Sequence, residues 1–262
     1  MTGRGGQRPG RQPPASRRAG RALPGIALLV LLLAGGTAQA RLALSATRVV
    51  IDGSGREGGI SVRNAGASPT LVQAWVDDGH AERSPEQLAT PFQLVPPLLR
   101  IDAGGSRRLR VMVIQPDALP ADRESLYWLN VVEVPRTAAV EGDATADGGA
   151  GELRVVVRTR LKLIHRPATV TGEAADAIRQ LDWRLSPDGR LLSVHNPSPR
   201  VTSLSQVRAE GAGTVDIGDG VVLPGATRQF VLPAGGSELG ALALEWIDDH
   251  GTPAWASAAL SR

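Results

Sequence analysis

The sequence predicts an all-β protein built from two β-sandwich domains. From Arg41 onward the apolar residues recur at a spacing of two, as in half-buried strands, rather than at the 3.6 of helices. Turn residues separate these short apolar runs, which is typical of a sandwich. The chain has 262 residues, enough for two ordinary domains.

Five strands are predicted before Pro167. In the first of them, Ile60 and Val62 alternate with polar neighbours. The stretch from 135 to 151 has no periodicity, and a loop of that length is usually functional or disordered. The other four predicted strands cover residues 71–76, 109–113, 126–134 and 153–164.

The strand pattern restarts after Pro167, so we place a domain boundary there and expect domains at 41–167 and 168–262. Ser186, Asp188 and Gly189 lie between two apolar runs, which is a strong hairpin signal. The strands predicted in this second domain cover residues 181–185, 191–194, 221–223, 229–232 and 241–247.

Residues 1–40 have the three parts of a secretory signal peptide. An arginine-rich stretch is followed by an apolar run at 26–34 and by the small-residue site at 38–40. The apolar run is too short to span a bilayer as a mature helix. We therefore expect cleavage after Ala40 and a mature protein that is not embedded in the membrane.

The calculated pI of 10.4 suggests a nucleic-acid partner, but the distribution of charge argues against one. Six of the 29 basic residues lie in the signal segment, so the mature chain has 23 against 26 acidic residues. The mature protein is mildly acidic, and we expect no binding to nucleic acid.

The sequence shows no convincing catalytic or metal-binding motif. The chain has no cysteine, which excludes thiol catalysis and zinc–cysteine sites. Residues 53–58 match the dinucleotide-binding spacing, but a strand follows them instead of the required helix, so we expect a hairpin loop. Carboxylates and histidines meet at 77–80 and 248–250, beside glycines where turn residues are common. We expect no enzyme activity, metal or cofactor.

The predicted strand at 153–164 has two interpretations. Its apolar residues alternate with basic ones, as in a half-buried strand with a solvated charged face. Alternatively, it lies at a sheet edge after a long loop and pairs with a strand of another protein.

Five separate motifs resemble the periplasmic pilus-assembly chaperones of the chaperone–usher pathway. They occur in the family's order across nearly all of residues 42–256. The motifs are ATRVVIDG at 46–53, QAWV at 73–76, DRESLYW at 122–128, KLIHRP at 162–167 and WIDDHG at 246–251.

The resemblance implies two immunoglobulin-like sandwiches set at an angle, and a cleft in which Arg48 and Lys162 bind the C-terminal carboxylate of a pilus subunit. It implies a strand donated to the incomplete subunit and delivery of that subunit to an outer-membrane usher. It also implies an inter-domain ion-pair network. The donor residues are Leu153, Val155 and Val157, and the network residues are Glu124, Arg166 and Asp249.

The sequence departs from the family's pattern at three points. His165 replaces an aromatic residue, and the loop at 135–151 is long but lacks the cysteine pair of many long-loop members. The subtype therefore stays open. Lys162 also lies off the parity of the donor residues, so either it points into the cleft while they face the subunit, or a bulge intervenes.

Two other functions remain possible from the sequence. The first is a secreted structural or adhesive protein with immunoglobulin-like domains, which has no need of the cations Arg48 and Lys162. The second is a periplasmic enzyme that uses a carboxylate–histidine site formed by Asp248, Asp249 and His250.

Overall fold

The computed structural model describes residues 1–3, 41–53, 55–134, 156–232 and 240–261. The predicted signal segment, the irregular stretch at 135–151, Leu153 and Val155 lie outside the described residues. Almost all of the regular secondary structure in the described mature chain is strand, which confirms the predicted all-β, two-domain fold.

The first sandwich contains nine strands, and the alternation seen in the sequence explains why they form. In the strand Ser106–Val113, for example, Leu109, Val111 and Val113 are buried while the residues between them face outward. The nine strands are β1 Leu42–Leu44, β2 Arg48–Asp52, β3 Glu57–Asn64, β4 Thr70–Asp77, β5 Phe92–Val95, β6 Leu98–Ile101, β7 Ser106–Val113, β8 Ser125–Val134 and β9 Arg158–Arg166.

These strands form two sheets, in the orders β1-β3-β7-β5 and β2-β9-β8-β4-β6. The two sheets enclose a single apolar core, with Ile51, Ile60, Leu109, Leu129 and Leu163 fully buried. Most pairs are antiparallel, but β2 and β9 run parallel. This parallel pair positions the candidate site.

The second sandwich has its own core around Trp183 and Phe230. One short α-helix, α1 (Ala174–Arg179), precedes its strands. The strands are β10 Asp182–Leu185, β11 Leu191–His195, β12 Thr202–Ala209, β13 Gly213–Val215, β14 Val221–Val222, β15 Thr227–Val231, β16 Leu242–Ile247, β17 Pro253–Ala258 and β18 Leu260–Ser261. They form sheets in the orders β15-β11-β10-β18 and β13-β12-β16-β17, and β14 pairs with β12.

The two loops predicted as hairpins differ in outcome. β10 and β11 pair antiparallel around Gly189, whose positive φ suits the turn, so that hairpin is confirmed. The hairpin predicted at 53–58 is wrong, because β2 and β3 belong to different sheets. A Cβ on Gly58 would lie 2.9 Å from side chains of β2, which shows that the two strands face each other across the core.

Among the described residues, no helix has both the length and the apolar character needed to cross a membrane.

We expect Leu129→Ala to lower the free energy of unfolding by about 2–5 kcal/mol, because it leaves a cavity in the core. Leu129 lies on the central strand β8 and is fully buried. Urea unfolding followed by tryptophan fluorescence measures the change. Leu98→Ala, at an exposed position on β6, is the control and should change stability by less than about 1 kcal/mol. Equal losses in both variants would contradict the assigned core.

Candidate functional site

Arg48 and Lys162 are brought side by side by the parallel pairing of β2 and β9. They are direct partners in the ladder, so both side chains leave the same face of the sheet. Arg48 donates from Nη1 to the carbonyl oxygen of Ile247 at 3.1 Å, and Lys162 donates from Nζ to Ser203 Oγ at 3.0 Å. Both acceptors belong to the second sandwich, so the two cations lie between the sandwiches.

The two cations are poorly compensated. Arg48 is 8% exposed and its Nε has no hydrogen-bond partner in the described structure. No carboxylate of the described residues forms an ion pair with either Arg48 or Lys162. Burial lowers the pKa of Arg48, while Asp249 and Asp248 oppose this shift. A bound anion would supply the charge that the site lacks.

Lys162 is the only lysine in the chain. Its pKa is lowered to about 8, mainly by burial and also by the neighbouring charge of Arg48, while Asp219 partly opposes both. Unlike arginine, a lysine in such a position can lose its proton near neutral pH. The charge of this site therefore depends on pH.

β9 has an open edge immediately before the cation pair. On one side it pairs with β8 along its length, from Arg158 to His165. On the other side β2 pairs only with Lys162–Arg166, and no other described strand pairs with residues 158–161. These residues present free backbone groups to a partner strand. The predicted strand at 153–164 is thus an edge only in part, and within the described residues the strand starts at Arg158 rather than at 156.

The register of β9 answers the parity question from Arg158 onward, since Leu153 and Val155 lie outside the described residues. The β8–β9 register continues from Arg158 to His165 without a bulge. Leu161 and Leu163 point into the core, while Lys162 points to the opposite face. Val157 shares the parity of the leucines but precedes the strand and is 64% exposed.

The prediction of a solvated charged face on β9 is wrong. Arg158 and Arg160 both form ion pairs with Asp77, which is fully buried. Their guanidinium groups also stack on Trp75 and Trp128. The sequence periodicity identified the face correctly but gave no sign of the carboxylate that covers it.

A second charged network joins the sandwiches. Arg166 donates from Nε to Glu124 Oε1 at 2.5 Å and from Nη2 to Asp249 Oδ2 at 2.7 Å, so the predicted trio is in contact. Burial opposes the charge of Arg166, but Glu124 and Asp249 outweigh it and raise the pKa of the guanidinium. Glu124 Oε2 also accepts a hydrogen bond from the backbone N of Val201 at 2.7 Å.

Arg200 is a fourth member of this network that the sequence did not reveal. It is 4% exposed and donates to Asp249 Oδ2 at 2.9 Å and to the carbonyl oxygen of Gly172 at 2.7 Å. Its Nε lies 3.8 Å from Glu124 Oε1. Arg200 follows a proline-rich turn, and no periodicity marks it. The one available hint was that the predicted network had two carboxylates, Glu124 and Asp249, but only one arginine.

The turn after β16 accounts for the carboxylate–histidine cluster. Asp248 Oδ1 accepts hydrogen bonds from the backbone N atoms of His250 and Thr252, and Asp249 belongs to the ion-pair network. His250 is exposed. The described residues contain no group of three or more metal-type ligands.

The described structure thus combines two β-sandwiches, a cation pair between them without a carboxylate partner, and an open strand edge beside that pair. Comparison with known proteins identifies the class that has this fold. The N-terminal domain model of PapD-type pili and flagellar-assembly chaperones matches residues 41–171, and the C-terminal domain model of PapD pili assembly chaperones matches residues 176–255. The chain belongs to this family of pilus-assembly chaperones, which is not a class of enzymes, and an adhesive function is not favoured.

Relatives resemble the chain over most of its length. Chaperone protein FimB/FhaD of Bordetella pertussis is 36% identical over 245 residues, 90% of this chain and 93% of the relative. The CupB2 chaperone structure from Pseudomonas aeruginosa has 32% identity and a TM-score of 0.66, covering 83% of this chain and 100% of its own. A Salmonella enterica structure of the SafA pilin with the SafB chaperone has 28% identity and a TM-score of 0.70, with coverages of 86% and 98%.

We expect Lys162→Met to stabilise the free protein by about 1–3 kcal/mol at pH 7, because it removes a buried, uncompensated charge. The folded pKa of Lys162 is about 8, below the ordinary 10.5, so the unfolded chain binds more protons between these values. Stability of the parent protein should therefore rise with pH in that interval, and the advantage of the variant should shrink.

Urea unfolding at pH 7 and pH 10 measures this difference. NMR titration of the only lysine side chain supplies an independent midpoint, expected near the pKa of about 8. A Lys162 titration midpoint above 10, together with equal unfolding free energies of the parent and Lys162→Met, would contradict the assignment of Lys162 as a buried, uncompensated charge. Arg100→Met, at an exposed position on β6, is the control and should change stability little at either pH.

We expect Arg200→Ala to lower the free energy of unfolding by about 3–5 kcal/mol, because it leaves buried carboxylate charge uncompensated. Thermal and urea unfolding measure the loss. Arg184→Ala removes an exposed ion pair with Asp182 and should cost less than about 1 kcal/mol. Equal losses of unfolding free energy in Arg200→Ala and Arg184→Ala would contradict the assignment of Arg200 to the network that joins the sandwiches.

Proposed function

We propose that this protein is a periplasmic chaperone that captures pilus subunits by donor-strand complementation and delivers them to an outer-membrane usher. The observation that carries this proposal is the open edge of β9, which ends at the cation pair Arg48 and Lys162. A strand edge without a described neighbour and a cation pair without a carboxylate partner are therefore adjacent on one strand.

The geometry also predicts the direction of the bound strand. A strand that pairs with residues 158–161 of β9 cannot continue past Lys162, because β2 occupies the edge from that point. Its end therefore meets the two cations. Because that end must be negative, it is the C-terminus of the subunit, and the bound strand runs parallel to β9.

Arg48 and Lys162 anchor the subunit carboxylate in this scheme, and charge-assisted hydrogen bonds fix the register of the bound strand. Leu153, Val155 and Val157 supply the apolar side chains that fill the groove of the incomplete subunit. The exposure of Val157 supports this role. The added strand satisfies backbone groups on both partners.

Glu124, Arg166 and Asp249 hold the two sandwiches in a fixed relation, with Arg200 as the fourth member. Because buried ion pairs add little net stability, their role here is to specify the arrangement. We place the boundary between the domains at Pro167, directly after Arg166 and the end of β9. The chaperone domain then covers 41–167 and the second domain 168–262.

Residues 1–40 act as the secretory signal that brings the chain to the periplasm, and the mature protein works there without catalytic activity or a cofactor. The structurally similar SafB chaperone has been solved in complex with the SafA pilin, and this supports a pilus subunit as partner. Delivery to an usher follows from the pathway in which this family acts.

We expect Arg48→Ala and Lys162→Ala to abolish capture of a subunit while the chaperone stays folded, because each removes one bond to the carboxylate. Periplasmic co-expression with a subunit from a neighbouring gene, followed by co-purification, measures capture of a one-to-one complex. Capture by the parent should also weaken as the pH rises through the Lys162 pKa of about 8. Arg100→Ala, an exposed residue away from the site, is the matched control. Unchanged yield in both site variants would overturn the carboxylate anchor.

A further inference from the structure

Asp77 lies at the end of β4 and is fully buried, yet it contacts neither the cation pair nor the inter-domain network. Its carboxylate accepts hydrogen bonds from Arg160 Nη2 at 2.7 Å, Asn130 Nδ2 at 2.7 Å, Arg158 Nη2 at 3.2 Å and the backbone N of Gly79 at 2.8 Å. A carboxylate with this many donors is held firmly in its charged form.

The two arginines reach Asp77 across an intervening strand. The sheet order is β9-β8-β4, so Arg158 and Arg160 extend over β8 to the end of β4. Trp75 and Trp128 support them, with the guanidinium groups 4.9 Å and 4.6 Å from the ring centroids. The first residues of β9 are therefore tied to two strands rather than one.

Arg158 also donates hydrogen bonds to Asn130 and to the loop after β4, which lies outside the sheet. It donates from Nη1 to the carbonyl oxygen of Ala81 at 2.5 Å and from Nε to Asn130 Oδ1 at 2.8 Å. The hydrogen bonds that tie β9 in this way are therefore all made by Arg158 and Arg160, within the first three residues of the strand.

The beginning of β9 needs such a constraint. Residues 158–161 have a strand neighbour on one side only, because β2 starts at the level of Lys162. The connection from Val134 to Arg158 is also far longer than the roughly two to five residues that fix hairpin register. A slip of one residue would turn every side chain of this segment to the other face.

We propose that Asp77 is a positioning residue for capture, which fixes the register and the outward face of residues 158–161 of β9 through Arg158 and Arg160. The inference rests on the proposed function, since register matters only if this edge receives the subunit strand. Asp77 itself does not touch the subunit.

The chain contains no cysteine, so a single engineered thiol reports the register without interference. Thr159 is suitable, because it is exposed and lies between the two arginines. Full-length chaperone with Thr159→Cys is co-expressed with a neighbouring-gene subunit carrying one cysteine at successive positions near its C-terminus. Disulfide yield at each position maps the alignment of the two strands.

We expect the parent background to cross-link mainly at one subunit position. In Asp77→Asn, the yield at that position relative to its neighbours should fall about tenfold, which is the ratio expected when hydrogen bonds to a charged group are lost. New cross-linked products should appear at the neighbouring positions. Asp182→Asn, which removes an exposed carboxylate–arginine pair in the second sandwich, is the matched control and should leave the pattern unchanged. If Asp77→Asn does not fold, Arg160→Lys tests the same tie, because lysine keeps the charge but not the two-nitrogen contact with Asp77.

An unchanged single cross-link in a folded Asp77→Asn or Arg160→Lys variant would overturn this inference and leave the proposed function intact. If the parent background gives no cross-link at any subunit position although the complex co-purifies, strand addition at this edge is wrong, and both proposals fail.

Discussion

The site depends on keeping two positive charges, Arg48 and Lys162, adjacent and partly removed from water. This arrangement is unfavourable in the free protein, because burial and mutual repulsion both oppose it. The fold sustains it with neutral acceptors, a carbonyl oxygen and a hydroxyl, rather than with carboxylates that would cancel the charge. The parallel pairing of β2 and β9 is what places the two side chains on one row.

Two further charged clusters differ from the cation pair, because both contain carboxylates. The network of Glu124, Arg166, Arg200 and Asp249 is internally compensated and joins the sandwiches. The cluster at the start of β9 joins the carboxylate of Asp77 to two arginines, Arg158 and Arg160. Both clusters contain carboxylates that pair with their arginines, whereas Arg48 and Lys162 have only neutral acceptors within the described residues.

Much of the fold could be predicted from the sequence, because strand alternation and turn residues are local signals. The β10–β11 hairpin is an example, with Gly189 at its turn. The loop at 53–58 was misassigned because local sequence does not show whether two flanking strands pair or face each other across a core.

The candidate site was only partly predictable, since its contacts join residues far apart in the chain. Motif resemblance located Arg48 and Lys162 but not their acceptors. The contacts of Asp77 were missed because a charged residue on the polar face of a strand has the same periodicity whether it is solvated or paired. Arg200 was missed because it lies in the turn between β11 and β12, where no periodicity exists.

The acceptors of the two cations have a consequence for how the protein behaves when it is damaged. Ile247 and Ser203 both belong to the second sandwich, whereas Arg48 and Lys162 belong to the first. Local melting of the second sandwich alone would free both cations to move into water, even with β2 and β9 intact. Loss of the second sandwich alone therefore removes the surroundings that keep the cation pair out of water, while the first sandwich stays folded.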